Sequence, residues 1–366
     1  MANKSIDKVF LATVIFLMLG GFFIFMSSSL GLLARQGPQF GATTFNQAFF
    51  GLFLGSIALV VFSKIDYKLW KKYAVHIFAL SIIATALVFI PQIGLQHGGA
   101  RRWLDLGFVT FQPSEFLKFG AVLYLAAWFS SVKYKIESIK WGLLPLLAVI
   151  GIVGLILLWQ PDMDTLLIII GAAIGIFFIA GGKWKHLAVL FGIAVIGFIL
   201  IVFSKPYLME RVLTFIDPAR DPLVAGWQIQ QSLIAVGSGG VFGKGFGQSI
   251  QKFRFLPEPI GDSIFAVAAE EFGFVGGVVI ISAFILFLLR GLSIARRAPD
   301  AFSGLLVSGI VIMIVLQSLI NIASIVGVFP FSGLPLPFIS HGGTALLFAL
   351  VEIGIVLNIS RYKRKI

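Results

Sequence analysis

The sequence contains no cysteine, and charged residues make up only 12% of its 366 positions. The missing thiols exclude disulfide bonds, thiolate metal sites and cysteine nucleophiles. The charged fraction is half of the roughly 25% that soluble domains carry, so there are too few charges to cover a water-facing surface. Hydrophobic residues instead make up 58% of the chain, including 38 phenylalanines, and the mean hydropathy is +1.01. A soluble fold is therefore excluded, and a membrane protein is predicted.

Ten apolar segments are long enough to cross a bilayer, which takes about 20 residues for a hydrocarbon core of roughly 30 Å. The first segment is too long for a signal peptide and no cleavage site follows it, so we predict an uncleaved span. The sequence thus predicts an all-α polytopic membrane protein with ten transmembrane helices, in one domain over residues 1–366. The predicted spans are 9–30, 45–62, 74–91, 115–132, 142–159, 165–181, 187–204, 263–289, 303–325 and 344–360.

Lysine and arginine are distributed unequally between the two sides of this predicted bundle. With the N-terminus in the cytoplasm, 18 of the 28 basic residues fall in cytoplasmic segments, six in one long outer loop and four elsewhere on the outer side. This bias predicts that both termini are cytoplasmic, and it accounts for the basic charge without a nucleic-acid partner. Only Asp7, Asp66, Glu137 and Asp300 of the 16 acidic residues fall on the inner side, so chemistry is expected to face outward.

The longest connection is the predicted extracytoplasmic loop 205–262, between the seventh and eighth spans. It is far longer than the dozen or so residues of an ordinary connection, which favours a functional role. Ile229, Leu233 and Val236 repeat at helical spacing and predict a short amphipathic helix. The glycine-rich stretch 237–247 is not a Walker A loop. It fits a flexible turn and, equally well, backbone N–H groups that approach a pyrophosphate together with Lys244.

Several ionisable residues fall inside predicted spans, where charge is costly and a function or a partner is expected. Glu115 and Lys118 are spaced i, i+3 and can pair on one helix face. We interpret this pair first as a structural salt bridge, with direct catalysis as the alternative. At least one of Glu270 and Glu271 is expected to bind a polar group on another span, and Glu352 is expected to face the bundle interior. The four histidines are too scattered to suggest a metal cluster.

A series of motifs, in order along about the whole chain, resembles the SEDS family (shape, elongation, division and sporulation). The short N-terminus and the stretch 211–218 look more like the division branch, FtsW, than the elongation branch, RodA. One departure is Asp164, which stands where the family usually has glycine. The matching residues are 100–107, 111–115 with Lys118, 230–232, 237–240, 256–258 with Asp262, Glu270 with Glu271, and 336–340 with 342–343.

The resemblance implies a peptidoglycan glycosyltransferase of the bacterial plasma membrane, which polymerises lipid II on the extracytoplasmic face. In that reaction the C4 hydroxyl of an acceptor GlcNAc attacks C1 of a lipid-linked MurNAc and expels undecaprenyl pyrophosphate. The hydroxyl needs a carboxylate to take its proton, and the resemblance assigns Asp262 as this general base. From the sequence alone, an aspartate at this position fits a helix N-cap better, with Ser263 and Ile264 opening the eighth span.

Cationic side chains near the leaving pyrophosphate would stabilise the charge that develops in the transition state. The candidates on the outer side are Arg101, Arg102, Lys244, Lys252 and Arg254, and each also fits a simple anchor for lipid headgroups. Glu258 is the nearest other carboxylate to Asp262 and a further substrate-binding candidate. Ser340 lies in a matching motif and is expected to be structural or to line a cavity. A weakly held Mg²⁺ or Mn²⁺ could bridge the pyrophosphate, although the sequence contains no dedicated cage.

Two other functions fit the same residues. A lipid II flippase would use the charges inside the bundle to line a headgroup path, and a non-catalytic divisome scaffold would use its spans to hold a transpeptidase. The resemblance also implies a class B penicillin-binding protein as partner, together with other membrane proteins of the division complex. Polymerisation of lipid II by the purified protein would separate the enzyme from both alternatives.

Overall fold

The computed structural model describes residues 5–34, 40–97, 100–105, 107, 110–217 and 225–362. Helices dominate these residues, as the composition predicts. They comprise α1 (Lys8–Ser29), α2 (Phe40–Asn46), α3 (Gly55–Phe62), α4 (Tyr67–Ala86), α5 (Pro113–Val132), α6 (Leu144–Trp159), α7 (Met163–Ile179), α8 (Trp184–Ser204), α9 (Pro206–Ile216), α10 (Ala225–Ser238), α11 (Gln251–Arg254), α12 (Ile264–Arg296), α13 (Ala301–Ile325) and α14 (Gly343–Ser360). Short 3₁₀ segments lie at 30–34, 87–89 and 133–137, and π-helical segments at 47–54 and 139–143.

Nine helical stretches of the described residues are long and apolar enough to cross a membrane. A tenth, α7, is apolar but has only 17 residues. At about 1.5 Å per residue this helix would be about 26 Å long, close to the lower limit for a span. The polytopic, helix-rich fold is therefore confirmed, whereas the count of ten stays a prediction.

Both described ends of the chain meet at one end of the bundle, which we call the Asp7 end. The backbone N–H of Asp7 donates to Ser360 Oγ over 3.1 Å, and the Asp7 carboxylate pairs with Arg290 near the end of α12 at 2.8 Å. Nearby, the Tyr67 hydroxyl donates to Asp300 over 2.7 Å. Chain ends on the same side require an even number of crossings. This arrangement agrees with the predicted location of both termini on one side of the membrane.

Aspartate side chains cap the N-termini of several helices. Asp7, Asp66, Asp162 and Asp300 are N-caps, and each carboxylate accepts a backbone N–H from the first turn of its helix. Asp300 forms a full capping box with Ser303. An aspartate at this position satisfies an otherwise unpaired N–H and interacts favourably with the helix dipole. Several of the 16 acidic residues thus set where the helices start.

The centre of the bundle is formed by α13, α14 and α5, whose residues are mostly buried, whereas α8 exposes most of its surface on the periphery. Polar side chains in the central helix α13 are buried and hydrogen-bonded, among them Gln317, Ser318 and Asn321. Without water, such groups must find partners inside the protein. Gln317 and Asn321 bind the segment 326–342 between α13 and α14, so that segment is held against the central helix.

A small antiparallel sheet lies at the other end of the bundle, and the sequence did not predict it. Its strands are β1 (Gly94–His97), β2 (Ala100–Asp105) and β3 (Thr110–Phe111), in the order β1-β2-β3. Leu104 of β2 pairs with Gly94 on one side and with Phe111 on the other. This sheet carries two of the predicted cations, Arg101 and Arg102, at the end opposite Asp7.

The predicted loop 205–262 is largely helical in its described part and contains α9, α10 and α11. The predicted amphipathic helix is confirmed as α10, which packs on α12. Helix α12 is broken at Gly273, where φ is +67° and ψ is −164°. A Cβ at this position would lie 2.3 Å from the Gly243 nitrogen, so only glycine allows both this backbone conformation and the close approach.

Candidate active site

Asp262 lies in the turn that leads into α12, at the end of the bundle opposite Asp7. The N-cap of α12 is Ser263, and Asp262 makes no capping hydrogen bond. The interpretation of Asp262 as an N-cap is therefore wrong, because the helix begins one residue later. Its carboxylate forms no hydrogen bond to any residue that the structure describes, yet the residue is only partly exposed. A carboxylate held in this way is open to an external partner.

The backbone around Asp262 is fixed from three sides. Asn321 Nδ2 on α13 donates to the Asp262 carbonyl and to the Leu334 carbonyl, both over 2.8 Å. Ser340 Oγ donates to the Gly261 carbonyl over 2.8 Å, and the His341 N–H donates to the neighbouring Ile260 carbonyl over 2.7 Å. Ser340 therefore holds the turn that carries Asp262, which gives the predicted structural residue a specific contact.

Four charged side chains surround the Asp262 carboxylate. Burial, followed by the neighbouring carboxylates of Glu258 and Asp164, raises the pKa of Asp262 to about 7, against the opposing effect of Arg211 and Arg102. We call these five residues the Asp262 cluster. An aspartate with a pKa near neutrality exchanges protons readily at physiological pH.

Asp164 and Arg211 are members of this cluster that the sequence did not identify as site residues. Arg211 Nη1 on α9 binds Asp164 Oδ2 over 3.0 Å and Oδ1 over 3.3 Å. The Gly333 N–H also donates to Asp164 Oδ2, over 3.2 Å. A Cβ at Gly333 would lie 3.5 Å from Asp262 Oδ2 and 4.0 Å from Asp164 Oδ2. Gly333 therefore separates the two carboxylates. In the sequence, Asp164 is noted only as a departure from the family pattern, and this departure could have indicated a site residue.

Arg102 reaches the cluster from β2. Its Nη2 donates to the Pro161 carbonyl just before α7, and its buried Nε has no hydrogen-bond partner among the described residues. Arg101 precedes it on the same strand and is partly exposed. Because successive side chains on a strand point to opposite faces, only one of the two arginines can face Asp262, and the electrostatic influence on Asp262 comes from Arg102.

Lys244 and Lys252 lie in a second group of charges at the break in α12. Lys252 Nζ is buried and binds Glu271 at 2.7 Å, Ser27 at 3.0 Å and the Gly247 carbonyl at 2.8 Å. Lys244 binds Glu270 at 2.6 Å. We call these two lysines and two glutamates the closed cluster. Lys252 is enclosed and cannot reach a headgroup in this conformation, which corrects the expectation that it binds substrate.

The glycine-rich stretch is part of the same arrangement. The N–H groups of Lys244 and Gly245 donate to the Glu270 and Glu271 carbonyls over 3.0 Å, and the Gly243 N–H donates to the Gly239 carbonyl over 2.8 Å. These three N–H groups are used inside the protein, so they do not form the suggested pyrophosphate cradle. The stretch is instead a largely exposed turn whose backbone hydrogen-bonds to α12 on both sides of its break.

Glu270 and Glu271 bind structural partners, as expected for at least one of them. Glu271 accepts from Ser27 on α1 over 2.6 Å, and Glu270 accepts from Ser249 over 2.5 Å. Together they connect α12 to α1 and to the turn before α11. Both carboxylates are buried and have hydrogen-bond and ion-pair partners, so their role is structural.

Arg254 and Glu258 lie on the exposed part of the outer loop. Glu258 has φ of +43°, an unfavourable conformation for a residue with a side chain, and its carbonyl accepts the N–H groups of Gly261 and Ser263. This turn places Glu258 close enough to raise the pKa of Asp262. Neither residue forms an ion pair with a described residue, so both remain candidates for contact with a substrate.

The predicted pair of Glu115 and Lys118 is confirmed at 2.9 Å, inside the bundle. Lys118 Nζ also donates to Gln317 Oε1 over 2.7 Å, which connects α5 to α13. Glu352 is buried and lines the same narrow cavity, together with Ser340. Ser340, which lines this cavity, also donates to the Gly261 carbonyl beside Asp262.

The described residues contain no group of three or more histidine or acidic side chains that could hold a metal ion. The carboxylates of the Asp262 cluster do not converge on one point. Asp164 binds Arg211 and the Gly333 N–H, while Glu258 is exposed. These side chains do not form a protein cage for a divalent cation. A weakly held cation therefore stays a prediction.

The model of the family described as cell cycle protein, FtsW/RodA/SpoVE, matches residues 7–365. The chain belongs to this family. This membership confirms the resemblance that the sequence motifs suggested. The match covers residues 7–365 of the 366 in the chain.

Two curated relatives show how far the similarity extends. Stage V sporulation protein E of Bacillus subtilis (strain 168) is 40% identical over 311 residues, which are 85% of each chain. A protein named probable peptidoglycan glycosyltransferase FtsW, from Thiomicrospira cyclica, is 37% identical over 99% of this chain and 94% of its own. The relatives thus include a protein named for sporulation and proteins named FtsW, so the branch of the family stays a prediction.

Two solved structures share the fold over nearly the full length. One, described as structural coordination of polymerization and crosslinking by a peptidoglycan synthase complex, has a TM-score of 0.82 at 29% identity over 98% of each chain. The rod shape determining protein RodA of Thermus thermophilus has a TM-score of 0.72 at 25% identity over 99% of each chain. The chain therefore shares their fold, and the nine long apolar helices among its described residues are those of a multi-pass membrane protein.

Proposed function

We propose that this protein is a peptidoglycan glycosyltransferase that polymerises lipid II, with Asp262 as the general base. The observation that carries the proposal is the Asp262 carboxylate, which has no hydrogen-bond partner among the described residues and a pKa raised to about 7. The names of several relatives support the same activity. A partly exposed carboxylate with a pKa near neutrality is suited to accepting a proton during the reaction.

The proposed step transfers a glycosyl group between two lipid-linked sugars. The C4 hydroxyl of the acceptor GlcNAc attacks C1 of the donor MurNAc, while its proton passes to an oxygen of Asp262. The bond between C1 and the pyrophosphate oxygen breaks, and undecaprenyl pyrophosphate leaves with the electron pair. Asp262 must be ionised at the start, so its ionised fraction sets the rate below its pKa.

Arg102 and Arg211 are the guanidinium groups whose charge acts on Asp262. They are suited to the leaving pyrophosphate because cations aimed at developing negative charge lower the barrier more than they strengthen ground-state binding. Arg101 and Arg254 are suited to outer phosphate or headgroup contacts, since both are accessible. Lys244 is partly exposed but already paired with Glu270, so its contribution is expected to be smaller.

The active site is proposed to face the extracytoplasmic side. The chain ends meet at the Asp7 end, and Asp262 lies at the opposite end of the bundle. The bias of 18 inner against four outer basic residues favours a cytoplasmic Asp7 end. A reporter fused after Ile366 should therefore be active in the cytoplasm, and one inserted after Gly247 should be active outside. Reporters on the same side would contradict this orientation.

A class B penicillin-binding protein is the proposed partner, because a strand polymerase needs a transpeptidase for crosslinking. The similar solved structure described as a peptidoglycan synthase complex couples polymerization with crosslinking. Purification of the protein with and without such a transpeptidase from the same cell would measure whether the two form a stable complex. Other membrane proteins of the division complex are proposed as further partners.

The test is a glycan-polymerisation assay with purified protein and lipid II, with and without the transpeptidase. Wild type should form glycan strands, and Asp262→Asn should lower the rate by about a hundred-fold to ten-thousand-fold while leaving folding intact. Glu258→Gln is the matched control, since it removes the other accessible carboxylate, and its effect should be much smaller.

Two results would overturn parts of the proposal. If wild type forms no glycan in either condition but moves lipid II across vesicles, the protein is a flippase. If Glu258→Gln abolishes polymerisation and Asp262→Asn does not, the base is Glu258.

A further inference from the structure

Asp164 connects three separate elements at the edge of the site. It lies in the first turn of α7, it binds Arg211 on α9, and it accepts the N–H of Gly333 in the segment before α14. Its side chain is 10% exposed and that of Arg211 is 24% exposed. A partly buried ion pair of this kind is screened less by solvent than a surface pair. The pair is therefore a genuine connection between the outer loop and the bundle.

The pair lies beside the candidate base. Gly333 lies between the two carboxylates, since a Cβ on this glycine would be in van der Waals range of both Asp164 and Asp262. The same segment is tied to Asp262 through Asn321, which binds the Asp262 and Leu334 carbonyls. A shift of this segment would consequently move the turn that carries Asp262.

The ion pair determines which part of the Arg211 guanidinium is available to a ligand. A free arginine side chain loses rotamer entropy when it is fixed on a ligand. Asp164 fixes the guanidinium before a ligand arrives, through Nη1 alone. The other guanidinium nitrogens form no hydrogen bond to a residue that the structure describes, so they are suited to phosphate oxygens.

We propose that Asp164 is a positioning residue for the reaction: it holds the Arg211 guanidinium for the anionic headgroup of a pyrophosphate-linked substrate and fastens α9 beside Asp262. This inference rests on the proposed function. It concerns the Asp164 carboxylate and its contacts with Arg211 and the Gly333 N–H.

The charged side chains that face Asp262 influence its ionisation, which a pH–rate profile can measure. They are Glu258 from its own turn, Asp164 from α7, Arg211 from α9 and Arg102 from β2. Removing the negative charge of Asp164 should favour ionised Asp262, and removing the positive charge of Arg211 should disfavour it. A purely structural loss would not produce opposite changes from the two partners.

The experiment compares wild type with Asp164→Asn, Arg211→Gln and the double variant in the polymerisation assay, over a range of pH. Asp164→Asn should raise the KM for lipid II several-fold and move the midpoint of the pH–rate profile down by about half a pH unit or more. Arg211→Gln should also raise KM but move the midpoint up. The double variant should return the midpoint close to that of wild type. Asp164→Glu, which keeps the charge, should restore KM in part.

Glu210→Gln is the matched control, because it removes a negative charge from an exposed side chain next to Arg211. It should change neither KM nor the midpoint. Equal KM and equal midpoints in wild type and Asp164→Asn would overturn the proposal. So would a uniform loss of rate that Asp164→Glu does not restore.

A second measurement does not depend on activity. Hydrogen–deuterium exchange of residues 206–216 should be faster in Asp164→Asn than in wild type or Glu210→Gln, because α9 loses its ion pair to α7. Unchanged exchange would overturn the fastening role. If wild type does not polymerise lipid II, the proposed function fails, whereas faster exchange in the variant would still support the contact itself.

Discussion

The closed cluster and the Asp262 cluster both contain carboxylates and cationic side chains. They differ in whether each charged group has a hydrogen-bond or ion-pair partner. In the closed cluster, Lys252 pairs with Glu271 and Lys244 with Glu270, with further hydrogen bonds from serine and backbone groups. In the Asp262 cluster, one carboxylate lacks a hydrogen-bond partner among the described residues and has a pKa raised to about 7. Buried charges that are fully paired hold helices together, whereas an unpaired carboxylate at a partly exposed edge is available for chemistry.

The largest effect is expected in the closed cluster. Lys252→Met leaves Glu271 buried without its cation, which should lower the free energy of unfolding by about 3–5 kcal/mol. Thermal unfolding in detergent, followed by tryptophan fluorescence, measures the change. Adding Glu271→Gln should recover much of the loss, because the amide can still accept from Ser27. Wild-type stability of Lys252→Met would show that the cluster is not structural.

The Glu115 and Lys118 pair tests whether a satisfied pair inside the bundle behaves in the same way. Glu115→Ala should be destabilising, but less than Lys252→Met, because Lys118 keeps its hydrogen bond to Gln317. Lys118→Ala in the same background should restore part of the stability. The folded yield on size-exclusion chromatography and the thermal midpoint measure both effects. Single variants that fold normally but lose polymerisation would instead place the pair in catalysis.

Ionised Asp262 is expected to lower the free energy of unfolding at neutral pH. The pKa of Asp262 rises from 3.8 to about 7 on folding, so the folded state binds more protons than the unfolded state between these values. Stability of wild type should therefore fall as pH rises through this window. Asp262→Asn lacks this titration and should be more stable than wild type above pH 7, with a difference that shrinks toward pH 4. A difference that does not vary with pH would contradict the shifted pKa.

The smallest effect is expected for an exposed pair. Lys183 and Glu137 lie 3.1 Å apart, with side chains 51% and 58% exposed. Exposed ion pairs contribute about 0–1 kcal/mol, so Lys183→Ala should change the thermal midpoint little. A large loss would mean that pairing alone, without burial, determines stability here.

The sequence predicted the parts of this arrangement that depend on local spacing. Hydropathy located the helices, and the i, i+3 spacing located the Glu115 and Lys118 pair. The pairing of Asp164 with Arg211 joins residues 47 positions apart, and no periodicity reveals it. Lys252 was misinterpreted as a substrate-binding residue because its side chain is enclosed by contacts with Ser27 and Glu271, which are distant in sequence. The strands β1 to β3 are short and carry few apolar residues, so they resembled a loop.

The most direct measurement compares two carboxylate-to-amide changes, Asp262→Asn and Glu271→Gln, for polymerisation per folded molecule. Asp262→Asn should fold at least as well as wild type and lose polymerisation by about a hundred-fold or more. Glu271→Gln should lower the thermal midpoint, while the molecules that remain folded keep a rate near that of wild type. The account would be contradicted if folded Asp262→Asn polymerised lipid II at the wild-type rate.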